Sequence, residues 1–312
     1  MSGIDRRRLL RLGAAGILAG VLPACAPAGP ELPLRIAAGE RGGFYSEFAA
    51  LLAEEIALAD SRLRPTVFDT EGSVANVELL RDGRAELALL LADVAQAAPR
   101  GELGPPVQVR ALGRLYENYV QLVVPVDSPI RGLPDLRGRT VSLGAPKSGS
   151  TFFGTRLLAR AGVEARTLAL PLEEAVAALE NGRIEALLWS GGVPTPALRA
   201  LDERSGIRLV PLQASVPGLC GYAVCEQVWV PPRAYRMGAG VPTVGMANLL
   251  VCPPGLPDDV AATVVRVLVG QASRLVPRQA VGTQFLDVRT LTGTGAVPLH
   301  PGAQRAYREL HG

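Results

Sequence analysis

Histidine, cysteine, lysine and aromatic residues are all scarce in this chain of 312 residues, and each scarcity removes a class of chemistry. The two histidines, His300 and His311, both sit near the C-terminus, and the four cysteines are Cys25, Cys220, Cys225 and Cys252. No spacing among them suits a metal site, so no metal is expected. No GxSxG or HExxH pattern occurs, and no histidine falls in a loop that could line a cleft, which argues against a hydrolase. Lys147 is the sole lysine among many arginines. Pairing it with Ser148 or Ser150 puts a nucleophile and its base side by side on one loop, a poor geometry for catalysis. The chain is therefore expected not to be an enzyme and to carry no cofactor. Aromatics make up only 4% of the residues, whereas Gly, Ala, Val, Leu and Pro abound. That composition suits an α/β protein in which helices pack closely on a sheet.

The basic surplus is confined to one end. "DRRRLLRLGAAGILAGVLPAC" has a basic cluster of Arg6, Arg7, Arg8 and Arg11, an apolar run from Leu12 to Leu22, and a small residue before Cys25. This is the order of an export signal, too short and wrongly flanked for a membrane span. "DRRRLLR" fits a twin-arginine export pattern, and "LPAC" resembles a bacterial lipobox in which Cys25 becomes the lipidated first residue. An ordinary secretory signal with an incidental cysteine is the alternative. On either reading residues 1–24 are a signal peptide, residues 25–33 a tether, and the protein is extracytoplasmic. Without residues 1–24 the 32 basic and 29 acidic residues lose four arginines and one aspartate, leaving 28 of each. A near-neutral mature chain gives no support for a nucleic-acid partner. An oxidising compartment permits a bond between Cys220 and Cys225, and Cys252, in the apolar "NLLVCPP", reads as a buried small residue.

From residue 34 the pattern alternates between strand and helix. "LRIAAG" reads as a strand, "FYSEFAALLAEEIALA" as an amphipathic helix and "RPTVFDT" as a strand. "SVANVELLRDG" reads as a helix ended by Gly83, and "AELALLLA" as a buried strand. "VRALGRLYENYVQLVVPVDS" holds one long extended segment or two short ones. "TVSLGAP" precedes a helix from about Ser150 to Ala161, stopped by Gly162; "ARTLALP", "LEEAVAALENG" and "IEALLWSGG" continue the alternation. "TVGMANLLVCPPGLPDDVAATVVRVLVGQA" reads as a strand followed by a long helix. Such alternation predicts parallel-rich sheets flanked by helices. "LLRDGRAELALLLAD" and "ALENGRIEALLWSGG" form a loose duplication, which implies two similar α/β lobes with a crossing near "VVPVDS". Lobe 1 is expected over 34–125 plus about 235–312, and lobe 2 over about 126–234.

Ligands in open α/β sheets bind beyond the carboxyl ends of strands, where helix N-termini present unpaired N–H groups. Three loops would meet there. In "GERGGFY", Gly42 and Gly43 let the backbone approach a ligand and Tyr45 offers a hydroxyl or an apolar wall; the alternative is a plain glycine-rich turn. The pattern is not GxGxxG, and no acidic residue follows at the distance a ribose needs, which argues against a dinucleotide. In "EGSVAN", Ser73 is placed as an N-cap and Asn76 three residues on completes a capping-box-like pair. A helix entry at Gly72 and Ser73 also suits a carboxylate, since the helix dipole favours an anion there. "KSGST" repeats the device with Ser148, Gly149, Ser150 and Thr151, and Lys147 either pairs with an anionic ligand or is a solvated charge. Trp189 and Ser190 end a buried strand as core or cleft wall. Asp93 reads as the cap of the next helix, and Tyr116, Asn118 and Tyr119 as strand residues or cleft polar groups.

Taken in order, "GERGGFY", "TEGSVANVELLRDGRAELALLLADVAQAA", "GLPDLRGRTVSLGAPKSGST", "LENGRIEALLWSGGVPTPAL", "VPTVGMANLLVCPPGLPDDV" and "PLHPGAQRAYRE" resemble the TAXI family. These are the solute receptors of tripartite ATP-independent periplasmic (TRAP) transporters. The resemblance covers nearly the whole mature chain and is most specific around Gly72, Ser73 and Asn76. It implies a two-lobed, type II-like periplasmic-binding-protein fold with the ligand cleft between the lobes. It also implies a small carboxylate or amino acid as ligand, TRAP membrane permease subunits as partners, and a lipid anchor at Cys25 as the link to the membrane. A sensory receptor coupled to a signalling partner would share these motifs. Two departures are visible: where the family commonly has Pro-Gly-Ser-Gly-Thr-Arg the chain has "PKSGST", putting Lys147 for a Gly and Thr151 for the usual Arg, and the first loop has Phe44-Tyr45 where Tyr-Tyr is frequent.

Overall fold

The computed structural model of the chain describes residues 30–212, 225–277 and 286–311. The signal segment 1–24, Cys25 and Cys220 lie outside them; Cys225 is held in a disulfide.

The first half of the chain runs β1 (Leu32–Ala37), α1 (Phe44–Ala59), β2 (Leu63–Phe68), α2 (Ser73–Arg81), β3 (Leu87–Leu91), α3 (Ala92–Ala97) and β4 (Arg110–Pro125). Then come β5 (Thr140–Ser142), α4 (Gly149–Ala161), β6 (Arg166–Leu168), α5 (Leu172–Glu180), β7 (Ala186–Gly191), α6 (Pro196–Ser205) and β8 (Ile207–Val210). The chain closes with β9 (Cys225–Val230), β10 (Val241–Cys252), α7 (Asp258–Gly270), α8 (Val288–Leu291) and α9 (Pro301–His311). The helix stops follow the glycines: α2 ends just before Gly83 and α4 just before Gly162, both left-handed at φ 63°, a conformation glycine adopts without steric cost. "LALLL" is buried at every position of β3, as a continuous apolar run covered on both faces should be.

The sheet order is β2-β1-β3-β10-β4-β7-β5-β6, with β8 on β4 and β9 on β10. Two parallel blocks, β2-β1-β3 and β6-β5-β7, stand at its ends. The alternation predicted such blocks. Two long strands fuse them into one curled, mixed sheet. β4 is a single extended segment of 16 residues. Along one stretch it pairs antiparallel with β10, Val244 to Cys252 against Val120 to Arg110. Further on it pairs with β7, Tyr119 opposite Gly191, and then with β8. β10 likewise meets β9 through its first half and β3 through its second.

Helices cover the sheet over three apolar clusters. One lies under α1 and α7, with Ile36, Phe48, Leu52, Val264 and Leu268. Another lies under α2, α3 and α4, with Leu80, Leu90, Val94, Phe153 and Leu157, and the third under α5 and α6, with Val176, Leu187 and Leu198. Cys252 is fully buried and free, as its apolar setting predicted. Among the described residues no helix is long and apolar enough to cross a membrane.

Candidate functional site

The carboxyl ends of the strands in both parallel blocks open on one cleft, and four helices begin there. Gly43 precedes α1, Gly72 precedes α2, Ser148 precedes α4 and Thr195 precedes α6. All four of these residues line a cavity with about 690 Å³ free of protein atoms. The first N–H groups of a helix have no acceptor within it, so the cleft is a convergence of donors and of positive dipole ends. Gly72 holds φ 121° and ψ −153°, a backbone conformation reserved for glycine. It also lets the α2 entry approach α4: a methyl group on Gly72 would lie 3.3 Å from Ser148 Cα.

Ten of the residues singled out in the sequence line this cavity: Gly42, Gly43, Tyr45, Gly72, Ser73, Ser148, Gly149, Ser150, Trp189 and Ser190. Ser73 is not the N-cap of α2; that position is Gly72, and no side chain caps the helix. The Ser73 hydroxyl instead accepts from the Leu91 N–H at 3.0 Å, tying α2 to the end of β3. Tyr45 is bonded to Asn248 Oδ1 and to Ser73, and burial raises its phenol pKa above the ordinary value. Trp189 serves both readings: it is 8% exposed, packs in the third cluster, and donates its indole N–H to Thr195 Oγ1 at 3.1 Å. Ser148 does cap α4, accepting from the Thr151 N–H at 3.0 Å.

The other three residues lie elsewhere. Asn76 is fully buried, and no capping box forms at α2. Its amide donates to the carbonyls of Ala38 and Leu89 at 2.6 and 2.8 Å, holding β1 and β3 together under α2. Thr151 turns inward, donating to the Ala145 carbonyl at 2.8 Å. Lys147 points away from the cavity and pairs with Glu78 Oε2 at 2.6 Å, half exposed to solvent. Its main chain does the closer work. The Lys147 carbonyl accepts from Val74 N and Ala75 N at 3.0 and 3.1 Å, and the Lys147 N–H donates to Glu71 Oε2 at 3.0 Å. Two amides at the start of α2 are thus already satisfied by the facing loop.

Other lining residues were either missed in the sequence or left open there. Glu40 and Glu71 sit in the quoted loops after β1 and β2, and their positions directly after strands were the available signal. Glu40 Oε2 accepts from Leu172 N at 2.9 Å, and its pKa is raised chiefly by burial, opposed by that bond. Asn118, left open between strand and cleft, is a lining residue. Among the described residues that line the cavity there is no Lys, Arg or His. Asp93 lies inside the first turn of α3 rather than capping it, accepting from Val94 N at 2.8 Å. Burial pushes its carboxyl pKa up to about 6.

The family model of the NMT1-like family matches residues 36–310. The chain belongs to that family. Among solved structures, a protein of Bordetella bronchiseptica RB50 superposes with a TM-score of 0.55 at 15% identity, over 90% of this chain and 98% of that one. XAC2383 from Xanthomonas citri, bound to chloride ion, gives 0.50 at 16% identity over 89% and 95%. The substrate-binding protein of an amino acid ABC transporter gives 0.50 at 15% identity over 78% and 96%. At these identities the likeness is one of fold, and the NMT1-like chain has the fold of periplasmic binding proteins.

Proposed function

We propose that this NMT1-like protein is an extracytoplasmic solute receptor of the TAXI type. It captures a small organic acid or amino acid, glutamate-like in carrying a carboxylate, and delivers it to the membrane subunits of a TRAP-type transporter. On this reading lobe 1 comprises 34–125 plus about 235–312 and lobe 2 about 126–234. β4 and β10, counted with lobe 1, carry the hinge, since β4 pairs onward with β7 and β8 of lobe 2, and Cys25 carries the lipid that keeps the receptor at the membrane. The motif series, membership of the NMT1-like family and the periplasmic-binding-protein fold support the class. The carboxylate rests on one observation: the α2 entry at Gly72 and Ser73 and the α4 entry at Gly149 and Ser150 face one cavity. The dipoles of both helices, with the entry N–H groups other than those of Gly72, Val74 and Ala75, which already have acceptors, can bind an anion without a cationic side chain.

A thermal-shift screen of residues 26–312 against amino acids and small dicarboxylates identifies a ligand, and Ser73→Asp then tests the site by calorimetry. The aspartate can accept the Leu91 N–H as the serine does, so the variant folds. Its charge occupies the place assigned to the ligand carboxylate, and most of the affinity is lost. Full-strength binding by Ser73→Asp would sink the site assignment and leave the family membership standing.

A further inference from the structure

We infer that Asn118 is a specificity-determining residue whose side-chain oxygen accepts a hydrogen bond from the bound acid, so that the receptor selects carboxylates carrying an amino, amide or hydroxyl donor. The inference rests on the carboxylate-receptor reading. Asn118 stands in the middle of β4, opposite Met246 of β10 and next to Tyr119, which pairs with Gly191 of β7. Neighbours on both sides hold this backbone, so the side chain projects from a fixed point. It is 4% exposed and lines the cavity.

The orientation of its amide follows from its neighbour. The nitrogen lies 3.3 Å from the Ser190 carbonyl and 3.5 Å from Ser190 Oγ. A carbonyl can only accept, so the nitrogen rather than the oxygen must face Ser190. That leaves Oδ1 turned from Ser190, buried and with no hydrogen-bond partner. Asp93, Tyr116 and Ser142 also have buried, unpartnered side-chain oxygens, but among the described residues only Asn118 combines that with a place on the cavity wall. A buried acceptor without a donor is unfavourable, and a donor brought in by the ligand removes the deficit.

The charge lining the cavity agrees. Among the described residues that line it, Glu40 and Glu71 are the only carboxyl side chains, and no cationic side chain accompanies them. Helix entries serve one carboxylate, and the group meeting Asn118 gains most by being a donor. An oxo group at that place would set oxygen against oxygen.

Matched acids that differ only in the 2-substituent test this. Calorimetry uses L-alanine, L-lactate and pyruvate; L-glutamate, L-2-hydroxyglutarate and 2-oxoglutarate; and L-leucine with its 2-hydroxy and 2-oxo counterparts. In the skeleton that binds, the amino or hydroxy member should bind at least tenfold tighter than the oxo member. Asn118→Leu should reduce that ratio to threefold or less; if this variant does not fold by circular dichroism, Asn118→Ala carries the measurement. An oxo acid bound as tightly as its partners, or a ratio unchanged in the variant, overturns the inference alone. Failure of every acid to bind overturns the carboxylate reading and this inference with it.

Discussion

Gly149→Ala tests closure of the cleft without removing a polar group. Gly149 is the first residue of α4 and is not among the positive-φ glycines, so alanine fits its backbone. The obstacle is across the cleft. The added methyl would lie 2.6 Å from Leu91 Cδ1 and 3.0 Å from both Leu91 Cγ and Ser73 Oγ, whereas carbon atoms rest at about 3.5–4.0 Å. Leu91 is 2% exposed and cannot swing aside. Relief requires α4 to withdraw by roughly 1 Å, which takes the Lys147 bonds to Val74, Ala75 and Glu71 out of hydrogen-bonding range. Each such bond contributes about 0.5–1.5 kcal/mol, and holding the closed arrangement against the overlap costs about 1–3 kcal/mol. Closure is therefore opposed by about 1–3 kcal/mol, a loss of roughly 5- to 150-fold in affinity. The clash falls between the two parallel blocks, Leu91 ending β3 of one and α4 flanking β5 and β7 of the other, and within neither, so the unliganded protein keeps its melting temperature. Calorimetry gives the affinity, and solution scattering gives the compaction on adding ligand, which the variant should lose. Wild-type affinity together with wild-type compaction in Gly149→Ala would refute the closed geometry.

Lys147→Ala removes an exposed pair with Glu78 and leaves the main-chain bonds of the loop intact, so about 0–1 kcal/mol of closure is lost. Acidic and neutral ligands should weaken by the same factor, at most about fivefold; a loss confined to acids would return Lys147 to the cavity. Asp93 sets a pH dependence of stability. Its folded pKa, raised by burial to about 6, exceeds the unfolded value of about 3.9. The native state therefore holds the extra proton, and stability falls as pH rises from about 4 to about 6, by up to about 3 kcal/mol. Asp93→Asn keeps an oxygen for the Val94 N–H and removes the charge. It should melt higher than wild type at pH 7 and equally at pH 4, and identical melting at both would show that Asp93 does not titrate as its burial requires.

The departures from the sequence reading share one cause. At "EGSVAN" the sequence pattern pointed to a cap and a capping box, because Ser followed by a polar residue three positions on is a local signal. The bonds actually made run to Leu91 from Ser73 and to Ala38 and Leu89 from Asn76. Lys147 looked available for an anion because nothing near it in the chain is acidic, yet Glu78, 69 positions away, holds it. Asn118 could not be chosen over Tyr116 or Tyr119, since alternation along β4 says which side chains share a face and not which face meets the cavity.

The sequence by itself determined the alternating elements, the glycine stops at Gly83 and Gly162, the burial of β3 and Cys252, and the loops that form the cleft. Each of those depends on periodicity or on a single residue's backbone preference, quantities written within a few neighbouring positions. Only the tertiary structure decided that β4 and β10 join two parallel blocks into one sheet, that Lys147 faces outward, and which polar groups line the cavity. A hydroxyl, an amide or an ammonium takes the partner that docking brings within 3 Å or so, and that partner is set by the packing of elements distant in the chain.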